Sequence, residues 1–298
     1  MESTKGIVQE LHTIRDFLRW AVSAFNRAEL FFGHGTDNGW DEALHLINHV
    51  LSLPAGGDQR FLDARLTTEE KESVVEIVTR RVRERVPAPY LTGEAWFAGL
   101  RFRVDEYVLI PRSPIAELIE QGFEPWLSGE PRDILDLCAG SGCIGIACAY
   151  AFPEARVVLS DISAEALNVA RDNVRAHKLE ARTEVVESDL FEALQGKTFD
   201  LIVSNPPYVD AADLAVIPPE YSHEPILALA SGADGLDFTR RLLAQAADFL
   251  NPEGVLVVEV GNSWPALEEA FPTLPFTWVE FERGGGGVFM LRRDDLAG

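Results

Sequence analysis

The sequence has no run of about 18 apolar residues, so no membrane-spanning helix is expected. It has only three cysteines, Cys138, Cys143 and Cys148, an odd number in one short stretch. That argues against a disulfide framework, and without a CxxC spacing no zinc site is expected. Small packing residues beside a strand and a helix are the better reading. Basic residues are scarce: 26 Lys and Arg stand against 48 Asp and Glu, a net charge of −22. Residues 1–90 carry 11 basic and 14 acidic side chains, while the remainder carries 15 and 34. The acidity therefore belongs to the C-terminal two thirds. Direct binding to duplex nucleic acid is not expected of such a surface, because non-specific binding needs cationic contacts. A basic protein partner suits it better. Internal repeats and low-complexity segments are absent. The opening, MESTKGIVQELHTIRDFL, is polar and has no apolar signal core, so a soluble cytoplasmic protein is expected.

What is present, over 298 residues, is enough for two modest domains. Val8, Leu11, Ile14, Leu18, Ala21, Val22 and Phe25 keep helical spacing. A second helix fits Asp41 to Leu53 and is ended by Pro54. Residues 54–66 read as a loop. Thr67 with Glu70 resembles a capping box. It opens a helix carrying Val74, Val78 and Val82 that stops before Pro87. Residues 1–88 thus predict a helical domain. Tyr90 to Arg112 is rich in aromatic and β-branched residues with two glycines, which predicts a β-hairpin connector over 89–112. From 113 to 298 a helix over Pro114 to Trp126 precedes an alternation of strands and helices. The strands are ILDLC, RVVLSD, TEVVESD, FDLIVS and VLVVEVG. The helices are Cys143 to Ala151, Ala164 to His177 and Phe238 to Leu250. That alternation predicts an α/β fold with a doubly wound parallel sheet. FTWVEFE and GVFMLRR, separated by Gly284 to Gly287, read as a closing antiparallel pair.

Two turns carry chemistry. Gly140, Gly142 and Gly145 make a GxGxxG where the first strand meets its helix. Glycines there allow a tight turn and close backbone approach to a ligand. Asp161 ends the next strand, where an acid can accept hydrogen bonds from both hydroxyls of a ribose. NAD and S-adenosylmethionine (SAM) both use this arrangement, and the glycine turn alone does not choose. The stretch SNPPYVD does. The apolar run FDLIV stops at Asn205, two prolines and Tyr208. The prolines forbid continuation of the strand and hold Asn205 extended. The Asn205 side-chain oxygen and the Pro206 carbonyl are acceptors, and Tyr208 offers a flat face. Together they suit a planar NH2 group aimed at a methyl donor, a device that a dehydrogenase does not need.

Other motifs read more plainly. His45 and His49 stand one helical turn apart, but without further ligands they read as packing or surface histidines. His223 has no partner in sequence that would make it a base. Arg80, Arg81, Arg83 and Arg85 read as a solvated basic face.

PYLTGEAWFAG, VLIPR, DLCAGSGCIG, Asp161, ESDLF and NPPYVD together resemble the SAM-dependent N(5)-glutamine methyltransferases of the HemK/Prm family over nearly the whole chain. LRWAVSAFNRAELFFGHGTDNGWDEA, PRSPIAELI and YSHEP are similar to the PrmB branch, which modifies a glutamine of ribosomal protein L-three. The resemblance implies a Rossmann-like, seven-stranded class I methyltransferase domain behind a helical substrate-recognition domain. It implies that SAM lies along Cys138, Ala139, Gly140, Ser141 and Gly142. Asp161 would bind the ribose, Asp189 and Leu190 would border the adenine, and Asn205 would stand beside the methyl. Asn205, Pro206, Pro207 and Tyr208 would hold the target amide, with Asn205, Pro206 and Tyr208 as the catalytic groups. The release-factor branch usually has a glycine at the place of Cys138 and a tryptophan at that of Leu190. The implied partner is basic ribosomal protein L-three, free or in the nascent large ribosomal subunit. Glutamine methylation of the release-factor GGQ loop is the nearest alternative. A nucleic-acid adenine N(6)-methyltransferase and a SAM-binding factor without turnover are the more distant ones.

Overall fold

The computed structural model describes residues 4–54 and 59–296. The chain divides into two compact units, Met1–Glu94 with Pro218–His223, and Ala95–Ile217 with Glu224–Gly298.

In the first unit, α1 (Thr4–Glu10), α2 (Ile14–Arg27), α3 (Gly39–Val50), α4 (Thr68–Glu84) and α5 (Ala88–Thr92) share one apolar core. Phe17, Leu18 and Phe25 of α2, Leu46 and Ile47 of α3, and Val74 and Val78 of α4 are buried in it. The single helix expected over Val8–Phe25 is two. Thr13 caps the second: its hydroxyl accepts from Asp16 N, and the Asp16 carboxylate accepts from Thr13 N at 2.9 Å. Apolar spacing runs across the break because both helices contribute to one core, so periodicity alone misses it. Thr67 and Glu70 do form a capping box at the start of α4. The helix expected from Asp41 starts at Gly39, because Asn38 caps it through the N–H groups of Trp40 and Asp41. The loop expected over 54–66 lies partly outside the described residues.

The arginine run is not a solvated face throughout. Arg81 is 1% exposed; its Nε donates to Glu42 at 2.6 Å and its Nη2 to the Phe31 carbonyl at 2.8 Å. Arg85 donates to Glu220 at 2.7 Å and to the Ala28 carbonyl at 2.7 Å. Glu220, fully buried, also accepts from Phe31 N at 3.0 Å. Burial pushes the Glu220 pKa up, but its N–H donors and the Arg85 guanidinium outweigh this and leave it below the usual carboxylate value.

The second unit is built on strands. A hairpin, β1 (Glu94–Phe97) and β2 (Leu100–Arg103), comes first. It is shorter than the expected connector, because Pro87 and Pro89 start α5 before it. Then follow α6 (Ile115–Glu120), β3 (Asp133–Leu137), α7 (Cys143–Ala151), β4 (Arg156–Asp161), α8 (Ala164–Ala176), β5 (Thr183–Glu187) and β6 (Phe199–Ser204). The chain continues through α9 (Ala211–Leu214), α10 (Asp237–Leu243), α11 (Ala246–Phe249), β7 (Leu250–Glu259), α12 (Trp264–Ala270), β8 (Thr277–Trp278), β9 (Val288–Arg292) and α13 (Arg293–Leu296). The α6 helix stops short of the expected Trp126, since Gly122 and Phe123 take positive φ of 64° and 55°.

The seven-stranded sheet has the order β5-β4-β3-β6-β7-β9-β8. The first five strands run parallel, and β9 pairs antiparallel with both β7 and β8. One apolar cluster gathers on the α6–α7–α8 side, with Ile134, Ile146 and Leu159. Another gathers on the α10–α11–α12 side, with Leu135, Ile202 and Leu256. The chain runs β3 to β5 outward, then crosses back to place β6 on the other side of β3. The carboxyl ends of β3 and β6 therefore flank the switch point, where open α/β sheets bind ligands. Among the described residues no helix is long and apolar enough to cross a membrane.

Candidate active site

Leu137 and Ser204 are paired in register at the ends of β3 and β6, and the Ser204 hydroxyl donates to the Leu137 carbonyl at 2.6 Å. Two turns leave the sheet from this point, 138–142 and 205–208. Between them lies a cleft open to solvent.

The first turn is tightly wound. Cys138, Gly140 and Gly142 take φ of 62°, 53° and 78°. Cys138 is the unusual one, because a side chain in the left-handed region costs about 1 kcal/mol or more, and such strain concentrates at functional sites. Gly142 N donates to the Ala139 carbonyl at 2.7 Å, and Gly140 N donates to Asp161 at 2.9 Å. A Cβ on Gly142 would come within 2.8 Å of Leu159, and one on Gly145 within 2.2 Å of it. The glycines therefore let α7 pack directly on β4. Asn173 of α8, buried, locks the turn from behind. Its Nδ2 donates to the carbonyls of Ser141 at 2.9 Å and Arg103 at 3.0 Å, and its Oδ1 accepts from Arg103 N at 2.8 Å.

Three carboxylates sit around this turn. Asp161 accepts from Gly140 N and, at 2.9 Å, from Ser163 N; burial nonetheless raises its pKa above the usual value. It lines the cleft and has lone pairs left for hydroxyl donors. Asp189 also lines the cleft and accepts from Arg241 at 2.8 Å. Leu190 follows at φ 50°, its carbonyl taken by the Ser188 hydroxyl at 2.9 Å. Asp136, absent from the sequence reading of the site, is fully buried beneath the turn. It accepts from Gly145 N at 2.7 Å, and its other oxygen, Oδ1, has no hydrogen-bond partner among the described residues. Burial pushes its pKa up to about 7; the Gly145 N–H opposes the rise and the charge of Asp161 adds to it.

The second turn supplies the acceptor expected of it. Asn205 lines the cleft, and its Oδ1 is buried without a hydrogen-bond partner among the described residues. Such an acceptor is costly unless a ligand donor meets it. Pro207 lines the same cleft, whereas Pro206 is buried behind it. Tyr208 is not among the cleft-lining residues; its hydroxyl donates to Glu259 at 2.9 Å. Of the positions along the glycine turn, Cys138, Ala139, Gly140 and Ser141 line the cleft and Gly142 does not.

The cleft wall joins two motifs that the sequence held apart. Arg112 makes two hydrogen bonds to Glu224, at 2.6 and 2.8 Å, and Ile110 N donates to the same carboxylate at 3.0 Å. VLIPRSP and the end of YSHEP are thus one piece of wall. The other end of YSHEP belongs to the first unit, where His223 Nε2 donates to the Glu84 carbonyl at 2.8 Å. Among the described residues no group of three or more His, Cys, Asp or Glu is placed to hold a metal ion. His45 has its pKa lowered by burial and by the neighbouring His49.

The arrangement fits SAM. The orphaned Asn205 oxygen, the acid at the end of β4 and the side-chain-free surface of Gly140, all lining the cleft, are the features such a ligand would use. Comparison with known proteins agrees on the class. Residues 121–217 match the methyltransferase small domain family, a span holding both turns and Asp161. Over 97% of its length the chain is 53% identical to a ribosomal protein uL3 glutamine methyltransferase of Neisseria gonorrhoeae, covering 97% of that protein. It is 54% identical over the same share to its counterpart in Neisseria meningitidis, covering 96%. Among solved structures, the hMettl16 catalytic domain in complex with MAT2A 3'UTR hairpin 6 superposes with a TM-score of 0.50 at 18% identity, covering 74% of this chain and 80% of that one. That likeness shows the fold alone.

Proposed function

We propose that this chain, which belongs to the ribosomal protein uL3 glutamine methyltransferase family, transfers a methyl group from SAM to the side-chain amide nitrogen of a glutamine in ribosomal protein uL3, the L-three protein of the sequence resemblance. The observation that carries the chemistry is the buried Oδ1 of Asn205, without a hydrogen-bond partner among the described residues, in the wall of the cleft. The near-complete coverage of the uL3-directed relatives supports the substrate. The net charge of −22 suits a basic ribosomal protein, met in the cytoplasm free or in a nascent subunit.

Cys138 to Gly142 would hold the methionine end, Asp161 the ribose, and Asp189 with Leu190 the adenine. Bound there, SAM supplies an electrophilic methyl on a sulfonium and a neutral thioether as leaving group. An amide nitrogen is a weak nucleophile because its lone pair is shared with its carbonyl. Asn205 Oδ1 and the Pro206 carbonyl would each accept one N–H of the target amide, which favours a pyramidal nitrogen. Pro207 and Tyr208 would fix the plane from which the nitrogen departs. Positioning of this kind can supply roughly 7–11 kcal/mol of the barrier. No strong base is needed before transfer, since the proton leaves from a nitrogen made acidic by the methyl. The helical unit would select the substrate.

The test is methyl transfer from labelled SAM to purified uL3 and, separately, to a peptide release factor, with mass spectrometry locating the product. One methyl on a uL3 glutamine, lost by at least about 100-fold in Asn205→Ala, is the expected result. Methylation of the release factor alone would overturn the substrate and keep the chemistry. No transfer to either would overturn both.

A further inference from the structure

The strand β7 runs as an apolar series, Val255 to Val258, and then ends in a buried acid, Glu259, 6% exposed. A carboxylate there is costly, and burial raises its pKa. Its two oxygens have separate tasks. Oε1 accepts from the Tyr208 hydroxyl at 2.9 Å and Oε2 from the Ser113 hydroxyl at 2.6 Å. The two residues at alternate positions beyond it also meet Tyr208. A Cβ on Gly261 would lie 2.5 Å from the tyrosine ring. The Ser263 hydroxyl donates to the Tyr208 carbonyl at 2.8 Å. Glu259, Gly261 and Ser263 thus form a cradle taking the hydroxyl, the ring and the carbonyl of one tyrosine. Packing alone would be served by an apolar residue in place of Glu259.

We propose that Glu259 is a positioning residue for methyl transfer: it fixes the Tyr208 ring, and with it the amide-gripping turn, by holding the phenol while anchored to Ser113. The inference rests on the proposed amide methylation for its kinetic readout. Glu259 is not among the residues that line the cleft; it acts through Tyr208. Its removal leaves the ring free to rotate out of the plane that orients the amide. A misplacement of about 1 Å costs roughly 100-fold in rate.

The test compares Glu259→Ala, Glu259→Gln, Tyr208→Phe and the double variant Tyr208→Phe/Glu259→Ala with the wild type. Expected are a fall in kcat of about 100-fold for Glu259→Ala, a smaller fall for Glu259→Gln, and SAM affinity within about twofold of wild type in both. Tyr208→Phe keeps the ring and should fold even if Glu259→Ala does not; it should also lose kcat at unchanged SAM affinity. The double variant should be no worse than the poorer single one, since the two groups act as a unit. A readout without substrate keeps the inference separate from the function. The chain has five tyrosines, and 19F NMR of fluorotyrosine-labelled protein, with Tyr208 assigned by its Phe variant, should give a shifted and broadened Tyr208 signal in Glu259→Ala. An unchanged signal, multiplying losses in the double variant, or wild-type kcat in Tyr208→Phe would overturn the proposal. Inactivity of the wild type on uL3 would instead count against the function.

Discussion

The N–H of Gly145 donates to the carboxylate of Asp136 at 2.7 Å, inside the unit, under the turn that leads into α7. Asp136 has no exposed surface, and burial pushes its pKa up to about 7 from 3.8. The sign follows from proton counting. Between these two values the unfolded chain has lost the proton and the folded chain keeps it. Stability from this group is therefore full below about pH 4 and declines as pH rises through about 7, by on the order of 4 kcal/mol. Asp136→Asn keeps an acceptor for Gly145 and removes the charge. Relative to wild type, its unfolding temperature should rise between about pH 4 and about 7 and then level off. Thermal unfolding of both proteins across that range checks it, and a difference independent of pH would refute the assignment.

Gly145 also marks how closely α7 approaches β4. A Cβ there would lie 2.2 Å from Leu159 Cδ2 and 2.9 Å from Asp136 Cβ, so the helix must lift. Gly145→Ala should destabilise the fold by about 1–3 kcal/mol, as overpacking does, and weaken SAM binding by shifting the turn. Urea unfolding and calorimetric titration with SAM measure the two effects. Gly140→Ala gives the contrast: nothing lies within 4 Å of its Cβ, but its φ of 53° carries a backbone cost of about 1 kcal/mol.

Much of this was legible in the sequence because local chemistry and tertiary packing agree. The strands β3, β4 and β6 read as apolar runs ended by the glycine turn, Asp161 and Ser204, and each lies within one residue of its place. Asp161, Asn205 and the part of the glycine turn from Cys138 to Ser141 line one cleft. The residues that were missed act across long separations. Glu259 reads as the end of a strand until Tyr208, 51 positions away, is seen to donate to it. Asn173 reads as an ordinary helix residue until it is found between Ser141 and Arg103. The helix expected over Phe238–Leu250 is two pieces followed by a strand, since Leu250 pairs with Phe199 and a register shift before Val255 absorbs the extra residues. No periodicity in that stretch announces such a bulge.

Asn173 makes three hydrogen bonds with 1% of its surface exposed. Asn173→Leu would fill a similar volume but strand the Ser141 and Arg103 carbonyls and the Arg103 N–H. Each stranded group costs about 1–3 kcal/mol. The expected outcome is a loss of stability of several kcal/mol together with weaker SAM binding, because Ser141 lines the cleft. Asn173→Asp should retain the bond from Arg103 N and lose the two to carbonyls. Chemical unfolding and SAM titration of the two variants should rank them Asp above Leu in stability; the reverse order would show that packing outweighs the hydrogen bonds here.

In the helical unit the decisive group comes from far along the chain. Glu220 is fully buried and gathers Phe31 N, Arg85 and, at 3.5 Å, Arg81 on one oxygen. Removing one partner of a buried ion pair leaves a charge uncompensated and costs about 3–5 kcal/mol. Glu220→Ala should therefore destabilise this unit strongly, since Arg81 is only 1% exposed and would keep Glu42 alone as its counter-ion among the contacts described. Because the folded pKa of Glu220 lies below its ordinary value of 4.5, its contribution is full above that pH. It fades as pH falls through the lowered folded value. Glu220→Gln, which keeps an acceptor for Phe31 N but no charge, should lose stability at pH 7 and show a shallower acid transition than wild type. Hydrogen exchange of α2 and α4 amides, followed from pH 7 to 4 with rates corrected for pH, would register the loss in those helices. Equal protection in the variant and the wild type at pH 7 would mean that the arginines are neutralised by Glu42 and the backbone carbonyls without it.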